Sequence, residues 1–155
     1  WIADGGLLTE QALFLEPAAG GTPRGVSSIH LTWGERGSQG PTPAAAVTLA
    51  DRSDAQAIVA VTRGGSTARR LSTLRPHAPI LATTSRAETA RRLALHWGVA
   101  PVHIDLGGHV DLAGSHIGEQ LVAHGLIPSG ATVVLINVNP DLNRSDANYL
   151  RIQRL

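Results

Sequence analysis

The chain has 155 residues, 43% of them apolar, and a formal charge of +1, which suits one compact domain with a sizeable core and no strong bias towards acidic or basic partners. It has no Cys, which excludes thiol nucleophiles, disulfides and thiolate metal sites, and no Lys, since all thirteen basic side chains are Arg; that excludes Schiff-base chemistry and the lysine of a P-loop. No apolar run approaches the roughly 18 residues of a membrane span, and the start Trp1-Ile2-Ala3-Asp4-Gly5 is not a signal peptide, so a cytoplasmic setting is expected. Without any Met, the chain reads as a processed or excised piece of a longer protein.

Residues 1–42 are rich in Gly and Pro. Ala12-Leu13-Phe14-Leu15 is apolar and brief. Ser28 to Trp33 alternates, with Ile29, Leu31 and Trp33 on one face, as a half-buried strand does, and Gly34-Glu35-Arg36-Gly37 reads as a turn. This part is expected to be a flap or small β-hairpin, or the remainder of a removed domain. From Pro43 the pattern turns regular. Ala44 to Ala50 is a good helix former and Ala57 to Thr62 a continuous apolar strand. Ser66 to Leu74 is helical, with Ala68, Leu71 and Leu74 sharing a face. Pro79 to Thr83 is again a buried strand. Ser85-Arg86-Ala87-Glu88 has the spacing of a capping box, predicting a helix from Ser85 that carries Ala90, Leu93, Ala94 and a buried Trp97 to its end at Gly98. Val99 to Leu106 holds a short strand, Ala113 to His124 a helix ending at Gly125, Thr132 to Val138 the strongest strand, and Tyr149 to Gln153 a last one.

Strands alternating with helices, several apolar on both faces, predict a three-layer α/β/α fold with a mostly parallel sheet, for residues 43–155. Ligands of such sheets sit beyond the carboxyl ends of the strands. The turn after the first of these strands, Thr62-Arg63-Gly64-Gly65-Ser66-Thr67, is the candidate site. Glycines let the backbone present its N–H groups, the helix start adds about half a positive charge, and Arg63 and two hydroxyls add donors, which together suit a phosphate monoester. The spacing is not that of a Walker A loop. A Gly-rich strand-to-helix turn is also commonly nothing more than a turn.

The ordered set Thr62-Arg63-Gly64-Gly65-Ser66-Thr67-Ala68-Arg69, Leu71-Ser72, Arg75-Pro76, Ala78 to Ala82, Thr89 to Leu93, Trp97 to Val102, Thr132 to Ile136 and Asn148 to Ile152 resembles the C-terminal α/β domain of pyruvate kinases, whose first stretch reads Thr-Lys-Ser-Gly-Arg-Ser-Ala-Arg. The resemblance implies a regulatory, subunit-contacting domain that binds a phosphorylated metabolite or nucleotide effector in the turn Thr62 to Thr67, and a homodimer in which the final strand takes part. It also implies a lid over the ligand before that strand. Here the lid segment carries Asn139, Asp141, Arg144 and Asp146 and no Gly, so a single phosphate is expected rather than two. The family's lysine and its Mg- and K-binding residues belong to a catalytic barrel that this sequence lacks, so no catalytic residue and no cofactor is assigned to it. Whether the whole protein is an enzyme stays open. A free-standing or fused descendant recruited as a small enzyme or scaffold is the alternative.

Two further patterns carry charged or metal-ligating side chains. Arg63, Arg69, Arg70, Arg75, Arg86, Arg91 and Arg92 stand against Glu88 alone between residues 63 and 92, which could face nucleic acid or an acidic partner, but the expected state is solvated helix faces, with nucleic acid not expected. His103-Ile104-Asp105 and His109-Val110-Asp111 place His and Asp on one side of an extended segment, yet match no metal signature, and no metal site is assigned. The open edge of the final strand, with Tyr149, Leu150 and Ile152, needs a cover: a second copy, or residues 1–42.

Overall fold

A computed structural model describes residues 2–3, 6–7, 28–32, 42–104, 113–138 and 149–155. Two short strands, β1 (Ile2–Ala3) and β2 (Gly6–Leu7), pair antiparallel with each other. β3 (Ser28–Thr32) belongs to the main sheet. At Thr42 the backbone is extended (φ −87°, ψ 149°) and Oγ1 accepts from the Ala45 N–H at 3.2 Å, capping α1 (Pro43–Arg52), which opens on a proline whose missing N–H has no helical partner to lose. There follow β4 (Ala57–Val61), α2 (Ser66–Leu74), β5 (Ile80–Thr84), α3 (Ala87–Leu93), β6 (Val99–His103), α4 (Ala113–Ala123), β7 (Thr132–Asn137) and β8 (Tyr149–Arg154).

The sheet runs β3-β8-β7-β4-β5-β6. β7, β4, β5 and β6 are parallel, while β8 is antiparallel to both β7 and β3. Every residue of β4 and β5 is buried, as interior strands covered on both faces require. One face packs Ile58, Ala60, Ile80, Ala82, Val134, Ile136 and Leu150 under Ala46 and Ala50 of α1, Ala68 and Leu71 of α2 and Leu93 of α3. The other packs Val59, Val61, Leu81, Val133, Leu135 and Tyr149 under Ile117 and Leu121 of α4. The three-layer α/β/α arrangement of the sequence reading is therefore present, with three helices to one side and one to the other among the described residues. Among the described residues no helix is long and apolar enough to cross a membrane.

This topology places the site. From β4 the chain moves through α2 and α3 to β5 and β6, then returns by α4 on the opposite face to β7, on the far side of β4. β4 and β7 are thus neighbours from which the sheet is extended in opposite directions, the arrangement of a topological switch point, and at their carboxyl ends Val61 is paired with Asn137.

Two local expectations differ from the structure. Ser85 and Glu88 form no capping box: α3 starts one residue later, with Arg86 at the cap position making no side-chain cap bond, and the Arg86 N–H donates instead to Thr84 Oγ1 at 3.3 Å. Trp97 is neither helical nor buried. α3 ends at Leu93, tighter bonds from Leu95 N–H to Arg92 O and from His96 N–H to Leu93 O close the last turn, and Gly98 (φ +67°) swings the chain into β6. Trp97 is left 52% exposed; its carbonyl accepts from Ser72 Oγ at 2.7 Å and its ring carries the Arg75 guanidinium 5.3 Å above the centroid. On α2 the buried residues are Thr67, Ala68, Leu71 and Ser72, and Leu74, a quarter-turn round the helix from their centre, is exposed.

Candidate anion-binding turn

The turn begins where β4 stops pairing. Thr62 is buried, and its N–H still donates to Thr83 O on β5 at 2.9 Å. Its Oγ1 accepts from the Gly65 N–H at 2.9 Å, closing the loop on itself. Gly65 takes the left-handed conformation (φ +86°, ψ 0°) and caps α2 without a side-chain bond. A Cβ there would stand 3.1 Å from Leu93 Cδ2, so the glycine is needed both for its backbone angle and for the close approach of α3. Thr89 of α3 donates its hydroxyl to Arg63 O at 3.1 Å, tying helix and turn together.

With Gly65 N–H spent on Thr62, the backbone donors left include those of Gly64 and of the first turn of α2. Among the described residues, the N–H groups of Ser66, Thr67 and Ala68 have no hydrogen-bond acceptor, and the first intrahelical bond is Arg69 N–H to Gly65 O at 3.0 Å. The helix start contributes about half a positive charge there, with no acidic residue in the first turn to neutralise it. Arg63, Gly64 and Ser66 are exposed while Thr62 and Thr67 are buried. Of the six sequence-predicted residues, Arg63, Gly64 and Ser66 are exposed, Thr67 is buried with its N–H in the first turn of α2, and Thr62 and Gly65 shape the turn.

Asn139, Asp141 and Arg144, the expected lid, lie outside the described residues, as do Asp105, His109 and Asp111. His103 is exposed at the end of β6 with Nε2 3.2 Å from Ser85 O. Among the described residues no three His, Asp or Glu side chains converge as a metal site would require. Sequence reasoning missed Thr89 and Asn137. Thr89 reaches the turn from another helix, and nothing in its local spacing signals that. Asn137 is the one buried polar residue of β7, at its carboxyl end, and that position was a usable signal.

A doubly covered, mostly parallel α/β sheet with a Gly-bearing strand-to-helix turn at its topological switch point defines the class. The family model for the pyruvate kinase α/β domain matches residues 42–153. The pyruvate kinase of Clostridium acetobutylicum is 36% identical over 106 residues, 68% of this chain and 22% of that protein, and the pyruvate kinase of Thermoplasma acidophilum 35% identical over 108 residues, 70% and 20% respectively. A crystal structure of a pyruvate kinase from Cryptosporidium parvum superposes with a TM-score of 0.61 at 28% identity, over 72% of this chain and 21% of that one. The chain belongs to the pyruvate kinase α/β domain family and spans about a fifth of the length of these relatives. Residues before 42 lie outside the match.

Proposed function

We propose that this chain is the regulatory and assembly domain of a pyruvate kinase or close relative, and that the turn Thr62 to Thr67 binds the phosphate of a small effector. The observation that carries the reading is the first turn of α2: N–H groups with no acceptor among the described residues, beside an exposed Arg63, at the switch point of the sheet. One charge-assisted Arg contact contributes about 1.5–3 kcal/mol, and helix-start N–H groups add to it. After the cost of immobilising a small ligand, the dissociation constant should fall on the order of micromolar to millimolar.

The added strand β3 favours a second reading, in which the domain serves a descendant protein as a small enzyme or scaffold. It extends the sheet with a segment that lies outside the family match. Melting temperature measured against sugar phosphates, nucleotides and inorganic phosphate separates the two. A rise with a phosphorylated compound, lost in Arg63→Ala, supports the effector reading. Stabilisation only by unphosphorylated compounds, or none by any phosphate, contradicts it.

A further inference from the structure

Beside the turn lies a small open cleft between α2 and α3, lined by Gly64, Arg69, Thr89, Arg92, Leu93 and His96. Arg69 sits one helical turn into α2, whereas Thr89, Arg92, Leu93 and His96 come from α3 and the turn that follows it, so two elements bring cations to one concavity. The Thr89 hydroxyl proton is committed to Arg63 O. The donors left for a ligand are the two guanidiniums, the Gly64 N–H and the His96 ring N–H. Among the described residues the carboxylate near them is Glu88, 3.9 Å from Arg92, with both side chains mostly exposed, a pair too loose and too solvated to cancel the charge.

Gly64 adds an independent observation. Its φ is not positive, and a Cβ there would meet nothing within 4 Å. Neither backbone angle nor packing asks for glycine at this position, and a methyl would instead occupy open space at the lip of the cleft.

We propose that this cleft is an anion-binding site in its own right, for a small dianion such as a phosphate monoester, held by Arg69, Arg92, His96 and the Gly64 N–H and separate from the helix-start donors of Ser66 to Ala68. Guanidinium forks and a backbone N–H around an apolar floor (Leu93) fit the tetrahedral oxygens of such a group.

Titration of the intact chain with inorganic phosphate, followed by NMR, tests this. The Gly64 amide, the Arg92 Nε–H and the His96 ring should move together with one dissociation constant. The Arg69→Ala/Arg92→Ala double variant should weaken that constant at least about tenfold and leave the shifts of Ser66 to Ala68 intact. Arg63→Ala should do the reverse, which keeps failure of the turn reading distinct from failure of this one. Gly64→Ala, which the packing tolerates, should weaken the cleft. Arg70→Ala/Arg91→Ala, removing equal charge from exposed neighbours that do not line it, should change affinity by less than about twofold at moderate salt. Immobile cleft resonances, a constant that Arg63→Ala abolishes, or equal losses in the two double variants would each overturn the proposal. Dispersed amide spectra of the variants confirm that these exposed positions leave the fold intact.

Discussion

Tyr149, the chain's single tyrosine, starts β8 with its side chain buried in the core under α4. Burial pushes its pKa above the ordinary 10.0, with Arg151 pulling partly back. The unfolded chain therefore releases this proton first, so the contribution is fully present below about pH 10 and is lost as pH rises from there through the folded value. Tyrosinate absorbance should appear at higher pH in the folded protein than in urea, and Tyr149→Phe should flatten the alkaline fall in melting temperature; coincident titrations would contradict this. The two glycines of the turn differ in the same concrete way. Gly65→Ala should cost about 1–2 kcal/mol from its left-handed angle and the Leu93 contact, with or without ligand, whereas Gly64→Ala should stay within about 0.5 kcal/mol. Denaturant melts of both check this. Leu71→Ala, fully buried, should cost about 2–5 kcal/mol, and Trp97→Ala only about 1, mostly the lost Arg75 contact. The helical phase of Trp97 with Leu93 pointed instead to a buried ring. It misled because the end of α3 is set by turn bonds and by Ser72 holding the Trp97 carbonyl, a contact between residues distant in sequence.

At the scale of elements, β4, β5 and β7 were legible because strands buried on both faces must be apolar throughout, and Ala57–Val61, Ile80–Thr84 and Thr132–Asn137 are nearly so. The alternation of Ser28 to Trp33 announced a strand, present as Ser28–Thr32, but not its partner. That partner is β8, with Ile29 opposite Ile152 and Leu31 opposite Leu150. The strand thereby covers the outer edge that Tyr149, Leu150 and Ile152 would otherwise leave open, the intramolecular cover that an open edge calls for. A homodimer would then have to form through another face. Removing residues 1–41 should bare the β8 edge and produce concentration-dependent self-association by light scattering, with the intact chain unaffected; a truncated chain that stays monomeric with an unchanged melting temperature would show that β3 does not guard the edge.

Over the whole molecule, the order of strands and helices turns one chemically plain turn into a candidate site. Thr62 to Thr67 was legible as a Gly- and hydroxyl-bearing strand-to-helix junction, because those residue types are what a phosphate-accepting backbone needs. The division of labour within it was not, since it depends on Thr62 taking the Gly65 N–H and on α3 pressing Leu93 and Thr89 against the loop. Nor could spacing alone reveal that β7 returns beside β4 and makes this turn, rather than those after β5 or β6, the switch point. The most direct test is an amide-resolved phosphate titration of the turn itself. Ser66, Thr67 and Ala68 should shift saturably, with Gly65, whose N–H is held by Thr62, moving least, and Arg63→Ala should weaken the response. If those three amides stay still at millimolar phosphate while other parts of the chain respond, the turn is not the anion site.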